Sequence, residues 1–144
     1  MLKVTLLFAA KKLAPPTFAG LQEYKKRLSH SCQFDWQTGV EPPAAEEGES
    51  YRANGQSSQN QHILLDRTGL SYTSPEFASQ IQSWMTNGTS QLVIYIGMPQ
   101  LGRRPNCDTL SLSPLALSSN TAGLLLAEQI YRAFRILEGK AYHK

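Results

Sequence analysis

Cysteine is scarce: Cys32 and Cys107 are the only two in 144 residues. A disulfide-stapled scaffold would need more. Nothing in the chain reads as a signal peptide, so both are expected as reduced thiols of a cytoplasmic protein. Histidine is as sparse. His30, His62 and His143 are scattered without ligand spacing, and no metal site is expected. No apolar run approaches the roughly 18 residues of a membrane span. The opening MLKVTLLFAA is too short for a secretory core and meets Lys11–Lys12 without a clear cleavage site. Neither a GxGxxG fingerprint nor a Gly-rich phosphate loop ending in Gly-Lys-Ser/Thr occurs, which disfavours an ordinary dinucleotide or ATP site. A GxSxG elbow is absent too, and there is no internal repeat.

What is present suits one globular domain over residues 1–144. Hydrophobic residues make up 41% of the chain, enough for a buried core. The net charge of +3 is compatible with an RNA partner without requiring one.

Along the chain, strand-like and helix-like segments alternate. Leu2–Ala9 is a continuous apolar run, as in a buried parallel strand. Pro15–Pro16 breaks it. Thr17 is the expected N-cap of a helix with apolar positions at Phe18, Leu21, Tyr24 and Leu28 and a basic end at Lys25–Arg27. Cys32, Phe34 and Trp36 alternate with polar residues as a half-buried strand does. Residues 41–61 are rich in Pro, Glu, Gly, Ser, Asn and Gln and read as a long loop, with a short helix near 44–51. His62–Asp66 reads as a short strand. Ser74 before Pro75 and Glu76 reads as the cap of a second helix, with Phe77, Ile81, Trp84 and Met85 on its buried face and Asn87–Gly88 at its end. Leu92–Ile96 is the next strand and Thr109–Leu112 another. A last helix is expected from Ala122 to Leu137, burying Leu125, Leu126, Ile130, Ala133, Phe134 and Leu137 and ending at Gly139.

This order predicts an α/β fold with a mostly parallel sheet. Ligands of such sheets sit beyond the carboxyl ends of the strands. Three segments qualify: Leu65–Gly69, Gly97–Gly102 and Leu112–Leu117. Gly97 would let backbone approach a ligand closely, although a plain strand-ending turn needs the same residue. In Leu112-Ser113-Pro114-Leu115-Ala116-Leu117 the proline forbids a central strand. Its free backbone groups suit an adenine edge and its leucines suit the ring faces, while a packed connecting loop is the structural alternative. Tyr142-His143-Lys144 combines an aromatic ring, an imidazole and a cation, as needed to stack on a base and meet its phosphate. A frayed terminus is the simpler reading.

The segment Leu124-Leu125-Leu126-Ala127-Glu128-Gln129-Ile130-Tyr131-Arg132-Ala133-Phe134, closed by Ala141-Tyr142-His143-Lys144, resembles the ribosomal large-subunit methyltransferase H family of the SPOUT superfamily. So do Leu65-Asp66 with Gly69, Thr73-Ser74 with Phe77-Ala78, Leu92–Gly97 with Pro99, and Leu112–Leu117. The likeness runs from about His62 to the terminus, is weaker over the first forty residues and is absent from Glu41 to Gln61. It implies a knotted α/β fold, with a C-terminal trefoil knot within about 92–144, and a homodimer. It implies an enzyme that uses S-adenosylmethionine to methylate N3 of a pseudouridine in large-subunit rRNA of assembled ribosomes. Cofactor contacts would fall on Leu65, Gly97, Leu112, Ser113, Pro114, Leu115, Ala116 and Leu117. His143 would act as base or positioner, Tyr142 would orient the target base, and Arg132 and Lys144 would meet RNA. In the family the C-terminal residues of one subunit complete the site of the other.

The chain departs from the family pattern at five places. Ser118-Ser119 replaces Pro-His, Gly123 an arginine, Met98 the second glycine of a Gly-Gly pair, Gln100 an acid, and Lys144 an arginine. A point charge replaces a bidentate fork at the last of these. These changes sustain a second reading, an RNA- or ribosome-binding relative with impaired catalysis.

Overall fold

The computed structural model describes residues 1–42, 59–101 and 107–140. The elements run β1 (Lys3–Phe8), α1 (Pro15–Arg27), β2 (Gln33–Gln37), β3 (Asn60–Ser71), α2 (Ser74–Thr86), β4 (Gln91–Ile96), a 3-10 turn at Pro99–Leu101, β5 (Asp108–Ser111) and α3 (Ser119–Leu137). The five strands form one sheet in the order β2-β1-β4-β3-β5. Every pairing is parallel.

The continuous apolar strands follow from a sheet buried on both faces. Val4, Leu6 and Phe8 of β1 and Leu92, Ile94 and Ile96 of β4 join residues of α1, α2 and α3 in the main core, among them Leu21, Ile81 and Leu126. Alternate residues turn the other way. Leu64, Val93 and Tyr95 form a smaller cluster with Met98 and Leu101.

Several boundaries differ from the sequence expectations, each for a local reason. α1 begins at Pro15, and Ala14 rather than Thr17 is its N-cap. The prolines, expected to break the chain, occupy the first two helical positions, where a missing N–H costs nothing. Thr17 is buried inside the helix. Ala14 has no capping side chain of its own, and its N–H donates instead to Asn120 Oδ1 at 2.9 Å, from the start of α3.

α2 is capped by Thr73 rather than Ser74. Thr73 Oγ1 accepts the Glu76 N–H at 3.2 Å, and the Glu76 carboxylate accepts the Thr73 N–H at 2.8 Å. That reciprocal pair satisfies two donors that one serine would leave half-served. Ser74 is thereby free to donate to Gln129 Oε1 on α3 at 2.7 Å.

β3 is longer than expected and interrupted. Leu65 and Leu70 both stand opposite Leu110 of β5, so Asp66–Gly69 is looped out between them. Asp66 accepts hydrogen bonds from the Thr68 hydroxyl at 2.9 Å and the Thr68 N–H at 3.2 Å, closing the excursion. Gly69 brings the chain back where a Cβ would lie 2.8 Å from Thr109 Cβ and 2.9 Å from Leu110 N. The strand starts at Asn60, inside the segment expected as loop; the short helix expected near 44–51 lies outside the described residues.

α3 starts three residues before the expected Ala122. Ser118 is its cap and accepts the Thr121 N–H at 3.2 Å. Serines that read as loop are the residues a helix start needs. Leu126, Ile130, Ala133 and Phe134 are buried as expected, Leu137 partly, but Leu125 is 38% exposed. Gly123 and Ala127 take the buried positions on that side. The reason is close packing: a Cβ at Gly123 would lie 2.5 Å from Cζ of the fully buried Phe8 ring. Gly123→Ala is therefore expected to destabilise the fold. Overpacking costs about 1–3 kcal/mol and outweighs the gain of about 1 kcal/mol in helix propensity. A lowered melting temperature checks it; an unchanged or raised one would mean that the ring can yield.

Cys32 and Cys107 are both free thiols. Burial, and then the charge of Glu138, push the Cys32 thiol up to about 12, so it stays protonated and unreactive at neutral pH.

Candidate functional site

β4, β3 and β5 are neighbours in the sheet, so their carboxyl ends lie side by side. Gly97 and Leu112 follow the ends of β4 and β5 directly, and the excursion of β3 begins at Leu65, level with Leu110 near the end of β5; Gly102 lies outside the described residues. Gly97 follows β4 directly and holds φ at +76, a conformation in which only glycine is unstrained. A Cβ there would lie 2.8 Å from Ser119 Oγ and 3.8 Å from Ala9 Cβ. The Gly97 turn thus sits against the first residue of α3 and beside the end of β1.

Leu112–Leu117 bridges β5 to the cap of α3. Its base is held by Ser111, whose buried hydroxyl lies 3.0 Å from the Arg67 carbonyl and 3.2 Å from the Ser113 carbonyl. That hydroxyl ties the segment to the Asp66–Gly69 excursion of β3. Ser113 Oγ accepts the Leu115 N–H at 3.0 Å. Leu112 and Leu117 pack on the main core together with Leu65, so the two ends are fixed. Pro114, Leu115 and Ala116 between them are exposed, Leu115 to 73%. An exposed leucine beside constrained backbone is a surface able to take an apolar ring face and a hydrogen-bonding edge.

The structure therefore brings Leu65, Gly97 and Leu112–Leu117 to one end of the sheet. It does not bring Arg132 there. Arg132 is half-buried on α3, paired with Glu128 at 3.0 Å. It stands thirteen residues beyond Ser119, about 20 Å along the helix axis. Tyr142, His143 and Lys144 lie outside the described residues.

Three contacts were not visible in the sequence: Ser119 on Gly97, Phe8 on Gly123, and Asn120 on Ala14. Two of them involve departures from the family pattern, at Ser119 and Gly123. Gly123 leaves room for Phe8, and an arginine there would meet the ring. The Met98 side chain is buried in the second cluster with Tyr95 and Leu101, on the far face of the sheet from the main core. Among the described residues no three His, Cys, Asp or Glu side chains gather as metal ligands, and no helix is long and apolar enough to cross a membrane.

A family model described as "Predicted SPOUT methyltransferase" matches residues 2–143. The chain belongs to the SPOUT methyltransferase family. Among curated proteins it is similar to one named ribosomal RNA large subunit methyltransferase H from Syntrophobacter fumaroxidans, 32% identical over 99% of this chain and all of that protein. Proteins of the same name from Latilactobacillus sakei and from an Anaeromyxobacter species are each 34% identical. The matches cover 88% of this chain and 89% of the first protein, and 86% of this chain and 88% of the second. The alignments span nearly the full length of these SPOUT relatives, so the five-stranded parallel sheet and its strand-end loops can be read as one family core.

Proposed function

We propose that this SPOUT protein is an S-adenosylmethionine-dependent methyltransferase that acts on N3 of a pseudouridine in large-subunit ribosomal RNA of assembled cytoplasmic ribosomes. The observation that carries the proposal is the meeting of the Gly97 turn, the Leu112–Leu117 segment and the start of α3 at one edge of the sheet. The residues present fit the cofactor. Gly97 gives a side-chain-free turn that packs closely on Ser119, and the exposed 114–116 backbone with Leu115 suits an adenosine. When bound, the cofactor supplies an electrophilic methyl group on a sulfonium. The chain's task is then to hold the acceptor in line and to take the imide proton from N3. Tyr142 orients the base, His143 accepts or steers the proton, and Lys144 and Arg132 meet phosphate. The trefoil knot of the family, within about residues 92–144, belongs to the same reading.

The arrangement also supports a homodimer with shared sites. Ser119 touches Gly97, whereas the Lys140 N–H is bonded to the Arg135 carbonyl at the far end of α3. Sixteen residues of helix separate Ser119 from Arg135, about 24 Å. Three further residues to His143 span about 10 Å at most. This span supports the reading that a second copy, rather than its own subunit, presents His143 to the Gly97 turn. The groove between α1 and α3, about 450 Å³ and lined by Tyr24, Asn120, Leu124 and Leu125 among others, is the face on which that copy would sit.

Ser119 against Gly97 favours a second reading, a non-catalytic RNA-binding relative whose cradle is filled. Titration calorimetry with S-adenosylmethionine, followed by methyl transfer to unmodified ribosomes, decides between them. One site per subunit and methylated large-subunit RNA are expected. No binding would favour the non-catalytic reading.

A further inference from the structure

Gly97 ends β4, which lies between β1 and β3 in the sheet. On either side of it the carboxyl edge carries exposed cations on fixed backbone. Past β1 come Lys11 and Lys12, both exposed. The Ala9 N–H donates to the Ile96 carbonyl at 3.1 Å, the Gly39 N–H donates to the Ala10 carbonyl at 2.7 Å, and Leu13 is buried, so this stretch is held from both sides. Past β4 on the other side, Arg67 is exposed in the β3 excursion. Its carbonyl accepts the buried Ser111 hydroxyl at 3.0 Å. Among the described residues none of these three cations has a carboxylate within ion-pair distance. Lys25, Arg27, Arg132 and Lys140, by contrast, are paired with Asp35, Glu23, Glu128 and Glu138. Two carboxylates near the edge are already engaged: Asp66 accepts from Thr68, and Glu76 accepts the Thr73 N–H. Glu41 follows β2, at the outer side of the sheet.

Unpaired cations on ordered backbone attract a polyanion. Neighbouring strands lie about 4.8 Å apart, which puts β1 and β3 about 10 Å from each other. A nucleic-acid strand covers that distance in roughly three nucleotides, at about 3.4 Å each. A base drawn out of its stack towards the Gly97 turn leaves its flanking phosphates one on each side. We infer that Lys11 and Lys12 on one side and Arg67 on the other form a phosphate track that holds the RNA strand across the Gly97 turn. This rests on reading this edge of the sheet as the RNA-facing site. Phosphate contacts fix the register of a strand without reading its sequence. The three cations therefore set affinity and position and leave the chemical step to other groups.

The test is binding of the full chain to salt-washed ribosomes that lack the modification, at several potassium chloride concentrations, with methylation of the same ribosomes measured in parallel. The variants are Lys11→Gln combined with Lys12→Gln, and Arg67→Gln. All three positions are exposed, so folding is not at risk. Each lost cation is expected to lower the slope of log affinity against log salt by about 1. The double variant should raise KM for ribosomes about tenfold or more, with kcat and the affinity for S-adenosylmethionine within about twofold of wild type. Arg67→Lys keeps the charge and should keep most of the slope. Lys3→Gln combined with Lys26→Gln removes the same charge from the start of β1 and the last turn of α1, and should leave the slope unchanged. An equal fall in that control pair would mean that net charge alone matters and would overturn the track. Unchanged slopes for the Lys11, Lys12 and Arg67 variants would also overturn it, and methylation by the same proteins would leave the methyltransferase reading standing. Lowered slopes in a protein that binds ribosomes but transfers no methyl group would support the track and overturn that reading instead.

Discussion

Gly97→Val is expected to abolish S-adenosylmethionine binding and to leave the protein folded. Two effects act together. At φ +76 a β-branched residue is strained, and its Cβ would meet Ser119 Oγ at 2.8 Å. A loss of at least 100-fold in affinity, or about 2.7 kcal/mol, is expected by calorimetry. Gly97→Ala should lose less, because Ser119 is half-buried at the helix start and its side chain can turn. A folded Gly97→Val protein with unchanged affinity would remove this turn from the cofactor site. Circular dichroism and a melting curve separate that outcome from unfolding.

The second large effect falls on the reaction rather than on binding. His143→Ala is expected to lower the rate of methyl transfer by about 10²–10⁴, the range for loss of a general base, and to leave cofactor affinity within about twofold. The separation follows from the topology. The cofactor segments lie at the carboxyl edge of the sheet, whereas Lys140, three residues before His143, is bonded at the opposite end of α3. On the shared-site proposal, His143 has no reason to hold the cofactor in the free subunit. Equal losses in rate and affinity would place His143 in the cofactor pocket and contradict its assigned role.

The departures from the family pattern weigh differently once the packing is known. Gly123 and Met98 look like lost functional groups in the sequence. In the structure, Gly123 makes room for Phe8, and Met98 fills the second cluster. Both are explained by packing without reference to a ligand. Ser119, a further departure, packs on Gly97, and the calorimetric test bears on it directly.

The sequence by itself determined the order of elements, the α/β class and the place of the strand-end segments. Each of those rests on a local signal: apolar runs for strands buried on both faces, caps and prolines for helix starts, and glycine where the backbone turns left-handed at Gly97. Local signals also explain the small errors. Thr73 and Ser74 are both good caps, and only the reciprocal bond to Glu76 selects Thr73. Leu125 matches the helical period, but the stripe that is buried is set by the close approach of Phe8 to Gly123 and of Leu124 to Gly20. The tertiary structure alone decided which distant residues meet: Leu65 and Leu70 on Leu110, Ser119 on Gly97, Asn120 on Ala14, Ser31 on Glu138. These pairs lie up to 107 residues apart. They form because parallel strands and the helices between them must bury a common core, and no periodicity along the chain encodes that closure.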